Sequence, residues 1–137
     1  MSTAEFRGSC ICGSIAYEIR GEPRGFFHCH CSRCRKSSGT GHASNIILKP
    51  ESAEWTAGKE LLGAYKVPEA QRFRTVFCTR CGSPMPRVAS DLSIAVIPAG
   101  SLDTDPSLAP TARIMWGSRA GWSCETGDIP TWPEYPE

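Results

Sequence analysis

Eight cysteines in 137 residues, seven of them grouped as a pair, a triple and a pair, constrain this chain more than any other feature. The pairs are Cys10/Cys12 in SCICG and Cys78/Cys81 in FCTRCGSP; the triple is Cys29, Cys31 and Cys34 in HCHCSRC. Two pairs combine into a closed four-thiolate zinc site. A triple leaves one coordination position open, and an open position is what separates catalytic from structural zinc. The grouping therefore predicts two zinc ions per chain, one structural and one reactive.

Composition narrows the partners. With 15 Lys+Arg against 14 Asp+Glu the formal net charge is +1, so there is no global basic excess of the kind that accompanies the basic stripe of a nucleic-acid binder. The opening MSTAEFRGSC has no apolar signal region and no apolar run approaches membrane-spanning length, which predicts a cytoplasmic protein without membrane contact. In a reducing compartment, closely spaced cysteines point to metal more than to disulfides. A length of 137 residues with 40% hydrophobic content suits one domain over residues 1–137, its motifs running from about 7 to 136.

Glycine and proline punctuate short segments of two-residue alternation, and no block has helical periodicity. Strands are predicted over residues 14–19, 42–48, 61–67, 72–77, 92–97 and 112–116, with loops at 21–25, 50–59 and 100–110. The fold class is all-β, in layered antiparallel sheets. The proline-spaced end, DIPTWPEYPE, reads as an irregular tail packed through Trp132 and Tyr135. Sheet edges left open in so small a domain suit a homodimer.

In an extended Cys-x-Cys both thiols share one face, and Cys78-x-x-Cys81-Gly82 has the spacing of a zinc knuckle, in which Gly82 is free to take positive φ. Joined, Cys10, Cys12, Cys78 and Cys81 make a structural site across a long loop. Closing such a loop costs an entropy that grows only logarithmically, against about 10–16 kcal/mol from structural zinc. The competing readings are buried unligated pairs or a redox CxxC, which lacks its usual βαβ context here.

Alternation in HCHC puts Cys29 and Cys31 on one face and His28 and His30 on the other, with Cys34 returning through a turn. Zinc with three thiolates is formally −1, a weak Lewis acid, so hydroxide generation for hydrolysis is not its natural use. A soft sulfur-rich centre suits an incoming thiol, which attacks an aldehyde. Arg35 and Lys36 follow directly and are candidate contacts for substrate carboxylates, the alternative being a solvated loop. Cys124 offers an alternative fourth ligand that would close the site, and a bulged backbone would let His28 or His30 ligate instead. His42 is left without a role.

The segments GSCICGSIAYEIRGEP, HCHCSRCRKSSGT, RFRTVFCTRCGSP, IPAGSLD and GWSCETGDIPTWPEYP occur in one order. In that order the chain resembles the glutathione-dependent formaldehyde-activating enzyme family, whose domain is shared with centromere protein V. The resemblance implies a β-tent of stacked antiparallel sheets, a structural zinc at Cys10, Cys12, Cys78 and Cys81, and a catalytic zinc at Cys29, Cys31 and Cys34. It also implies a carbon–sulfur lyase-type reaction with glutathione as co-substrate, in which the thiol adds to formaldehyde to give S-hydroxymethylglutathione. Arg113 stands where relatives usually carry a histidine, and Gly121 where proline is commoner. These departures bear on the substrate rather than the fold. The other functional classes compatible with the residues are a non-enzymatic zinc module for protein interaction and a metal-free thiol protein.

Overall fold

The computed structural model describes residues 3–123 and 127–136. Its architecture is mostly β, with a single α-helix among those residues. Strands β1 (Ala4–Ser9), β2 (Ala16–Cys29), β3 (Ala43–Ala57), β7 (Ala95–Pro98) and β6 (Arg87–Val88) lie side by side in that order. β8 (Ala112–Ile114) adds to the same sheet in parallel against β2. β4 (Leu62–Lys66) and β5 (Arg74–Cys78) form a separate antiparallel hairpin. The helix α1 spans Ser32–Ser38.

β2 is the spine. Its first half pairs with β1 from Ala16↔Ser9 to Gly21↔Ala4, its last three residues pair with β8, and β3 follows it along its whole length. The glycines and prolines of residues 21–25 and 50–59 read as loops in the sequence, but most of these residues belong to the two longest strands. The β2–β3 register shifts between Ala16 and Tyr17, between Arg20 and Gly21, and between Pro23 and Gly25. Bulges are where a strand tolerates proline and glycine, so these residues bend the ribbon instead of ending it. Gly21 shows why: a Cβ there would stand 2.6 Å from the Lys49 carbonyl oxygen.

Alternation then decides what is inside. Tyr17, Ile19 and Phe26 of β2, Ile46 and Leu48 of β3, Ala95 and Ile97 of β7 and Phe6 of β1 make one core, which also takes in Cys10 and Cys78. The Tyr17 hydroxyl is 2.6 Å from the Ser101 hydroxyl, and burial pushes its pKa up to about 12. The tail does not pack as its aromatics suggest, since Trp132 is 46% and Tyr135 90% exposed. The alternative built on Cys124 lies outside the described residues.

Candidate metal centres and the cleft between them

Turns, not strand alternation, bring the outer cysteines together. After β1 the chain reverses at Cys10–Gly13, where the Gly13 N–H donates to the Cys10 carbonyl at 3.0 Å with φ +75° at Gly13. After β5 it reverses again: the Gly82 N–H donates to the Cys78 carbonyl at 2.8 Å, and Gly82 has φ +80°. Both turns place a glycine in the left-handed region that side chains disfavour. The two reversals face each other, and the sulfurs of Cys10, Cys12, Cys78 and Cys81 all lie within 4.8 Å of one another.

Their spacing fits a metal. Four sulfurs about 2.3 Å from one zinc stand about 3.8 Å apart at the corners of a tetrahedron. The Cys10–Cys12 and Cys12–Cys78 sulfurs are 3.6 Å and 3.9 Å apart. Backbone N–H groups of Ile15 and Arg80 donate to the Cys10 and Cys78 sulfurs at 3.3 Å and 3.4 Å. The Ser83 hydroxyl, 3.2 Å from the Cys81 sulfur, holds the Cys81 thiol down to about 5. Such outer contacts stabilise negative sulfur, which is what a metal ligand needs.

The triple is local. Cys29 ends β2, Cys31 caps α1 with its sulfur accepting from the Cys34 N–H at 3.3 Å, and Cys34 sits in the first helical turn. A helix therefore returns the third sulfur, where the sequence suggested a knuckle. The three sulfurs lie within 4.8 Å of one another, so this cluster also fits a metal, with three protein ligands. Burial pushes the Cys34 thiol strongly up, helped by hydrogen bonds and charge from Cys29 and Cys31. Burial also acts upward on Cys31, but donation from the Cys34 backbone, hydrogen bonds with the Cys34 and Cys29 thiols and the Arg33 backbone together outweigh it and leave that thiol below its ordinary value.

His28 and His30 lie together with His42, away from the sulfurs. The His42 ring centroid is 4.1 Å from that of His28 and 5.1 Å from that of His30. Ser44 Oγ is 2.9 Å from His28 Nδ1 and 3.3 Å from His42 Nδ1. His30 is fully buried, edge-on to Trp116 with centroids 5.0 Å apart. Burial first, then His42 and Arg113, lowers the pKa of both His28 and His30. None of the three joins either cysteine group, so among the described residues the ligand-like clusters are sulfur alone.

A cleft of about 730 Å³ opens between the large sheet and the β4–β5 hairpin, with Cys34 on its wall near α1 and Cys10 on its wall near the four-cysteine cluster. His42, Asn45, Arg74 and Arg87 also line it. Arg35 and Lys36 do not; Arg35 Nε donates to the His30 carbonyl at 3.4 Å, and Lys36 is exposed. The cations along the cleft come instead from β5 and β6. Arg74 falls in the strand predicted over 72–77, but no periodic signal marked Arg87, which belongs to a two-residue strand inside SPMPRVAS.

The family model of the glutathione-dependent formaldehyde-activating enzyme matches residues 5–118, which include both cysteine clusters and the cleft. The chain belongs to that family. Among solved structures it is similar to a Rhodobacter sphaeroides protein from a structural genomics programme. The two share 19% identity over 78% of this chain and 98% of that one, with a TM-score of 0.58, a likeness of fold. No curated protein sequence matches this chain. Membership brings with it a formaldehyde-activating type of function and the enzyme class of the family name. No helix among the described residues is long and apolar enough to cross a membrane.

Proposed function

We propose that this protein is a zinc-dependent carbon–sulfur lyase-type enzyme that adds a thiol, glutathione in the family's reaction, to formaldehyde or a related small aldehyde. The observation that carries the reading is the asymmetry of the sulfur clusters: four sulfurs converge in one and only three in the other, and Cys34 of the three lines the cleft. Cys10, Cys12, Cys78 and Cys81 hold the structural ion, and Cys29, Cys31 and Cys34 the catalytic one. Zinc held by three cysteines supplies a soft position at which a thiol stays deprotonated near neutral pH.

The chemistry is a redox-neutral addition. The S–H proton leaves, sulfur forms a bond to the carbonyl carbon, and the carbonyl π pair becomes an alkoxide that takes up a proton. His42 is the imidazole among the described residues that line the cleft, tied through Ser44 to His28, and in this reading it takes the first proton and returns one to the alkoxide. The apolar stretch of the wall, including Phe73, Val76 and Met85, limits water around the adduct. None of the seven described cysteines is in a disulfide, and their close grouping as metal ligands suits a reducing cytoplasm.

The test is to mix the zinc-loaded chain with formaldehyde and glutathione and follow formation of the S-hydroxymethyl adduct by exchange-sensitive NMR, with protein omitted as the reference. Acceleration over the spontaneous reaction supports the proposal. An unaccelerated rate with glutathione and with other thiols, at full metal content, rejects it.

A further inference from the structure

Charge is segregated across this molecule. The four ion pairs among the described residues join Arg7, Arg20 and Arg24 to Glu5, Glu18 and Glu22, all on β1 and β2. The arginines of the cleft have no such partner. Arg87 is half-buried there, its Nη1 donating to the Arg74 carbonyl at 2.9 Å and its Cζ 5.3 Å from the centroid of the Phe73 ring. Arg33 of α1 reaches the same ring at 6.0 Å. Phe73 thus gathers two guanidinium groups from separate elements beside the three-cysteine cluster, and the negative charge of Cys34 and Cys29 acts on Arg87.

A guanidinium has five N–H donors in a rigid fork. The Arg74 carbonyl takes one and the aromatic ring occupies a face, which leaves an edge of the fork for a ligand. Burial of part of this cation is offset by the sulfurs of Cys34 and Cys29, and the free edge of the fork remains for a ligand anion. Asp103, the one carboxylate among the described lining residues, is held on the β1 side of the cleft, accepting from the Ser9 hydroxyl at 2.8 Å and 3.0 Å. A substrate carboxylate is repelled by Asp103, and the Arg87 guanidinium is the group that draws it against the negative charge of the sulfurs. Arg33 and Arg74 are exposed, so water and salt screen them more strongly.

We infer that Arg87, stacked on Phe73, is the specificity-determining residue that binds a carboxylate of the thiol substrate and so directs its sulfur to Cys29, Cys31 and Cys34. The inference rests on the thiol-addition reading above and assigns the group that selects among thiols. It makes the enzyme one for acidic thiols: the carboxylate sits in the fork in bidentate fashion, and a thiol without one loses that anchor.

The experiment is calorimetric titration of the zinc-loaded chain with glutathione, its dimethyl ester, 3-mercaptopropionate and 2-mercaptoethanol. Native protein, Arg87→Met and Arg87→Lys are compared, with Arg20→Met as a control for net charge. Arg87→Met should weaken both carboxylate-bearing thiols by roughly 10- to 100-fold and leave the ester and 2-mercaptoethanol unchanged. Arg87→Lys, which keeps the charge and loses the fork, should fall between. Circular dichroism and zinc content identical to native guard against misfolding. Should Arg87→Met fail that check, Arg87→Lys alone must still discriminate acid from ester less well than native. Equal weakening of acid and ester, or none, overturns the inference. If glutathione fails to bind while 3-mercaptopropionate binds in an Arg87-dependent manner, the carboxylate site stands and glutathione as the thiol falls.

Discussion

The two cysteine clusters differ in how far the chain travels to build them. The outer cluster joins a turn after β1 to a turn after β5, and its sulfurs come from residues 10–12 and 78–81. The inner cluster is complete between residues 29 and 34, at one strand end and one helical turn. A metal in the first would close about half of the chain's length into a loop, so it would constrain the unfolded state strongly. A metal in the second closes almost nothing and adds little to global stability. The inner cluster is thereby free to carry chemistry, because a ligand position kept open there does not endanger the fold.

Breaking the outer cluster should have the largest effect. Apparent zinc energies of about 10–16 kcal/mol match or exceed the net stability of about 5–15 kcal/mol typical of a domain. Cys78→Ser is therefore expected to abolish cooperative unfolding at room temperature, read by circular dichroism during a thermal scan. A native-like melt for this variant would erase the distinction between the clusters.

Cys31→Ser tests the other side. It should release one of two zincs in elemental analysis and lower thiol–aldehyde addition more than about 100-fold, beyond the loss usual for a supporting residue around a metal, while the melting transition stays near native. Loss of folding in step with Cys78→Ser would show both clusters to be structural.

Acidity should separate the clusters without mutation. Cys81 is depressed from 9.0 to about 5, so its preference for the thiolate is fully present above the ordinary value and fades as pH falls towards 5. Each cluster also holds a thiol that burial raises, Cys34 in the inner and Cys78 in the outer, which must surrender a proton to bind metal. The outer cluster offsets its own with two lowered thiols, Cys12 and Cys81, and the inner with Cys31 alone. Lowering the pH from about 8 to about 5 should therefore empty the inner cluster before the outer one, followed with a zinc-release dye. Simultaneous release, or the outer metal leaving first, contradicts the ordering.

The smallest effect concerns the outer turns. Gly82 has φ +80° but no atom within 4 Å of a would-be Cβ, so Gly82→Ala carries only the backbone penalty, about 1–2 kcal/mol. Chemical denaturation should report it. A much larger loss would mean that the Cys78–Cys81 turn tolerates no distortion around its metal.

Much of the candidate site was legible because cysteine spacing is local information. The pair–triple–pair order predicted which sulfurs would meet, and the strands carrying Ile46, Leu48, Phe77 and Ile97 showed themselves by alternation. What escaped the sequence depended on tertiary context. Gly21 and Pro23 carry the same residue signals in a bulge as in a turn, and only the pairing of β2 with β3 distinguishes the two. The helix at Ser32–Ser38 is two turns long, too short for periodicity to register, and its cap is a thiol instead of a hydroxyl or carboxylate. Arg87 was invisible for a further reason: its neighbours in the cleft come from α1, β5 and the loop before it, brought together only by folding.

The bends in β2 have a consequence for how proteins of this plan can diversify. A straight strand of this length would extend about 45 Å, yet Cys10, just ahead of β2, and Cys34, just beyond it, line the same cleft. The bulges between Arg20 and Gly25 act as adjustable joints between two fixed anchors. Inserting or deleting a residue at these joints would stretch or shorten the cavity while leaving every sulfur motif intact. Substrate size can thus drift along a lineage independently of the metal chemistry.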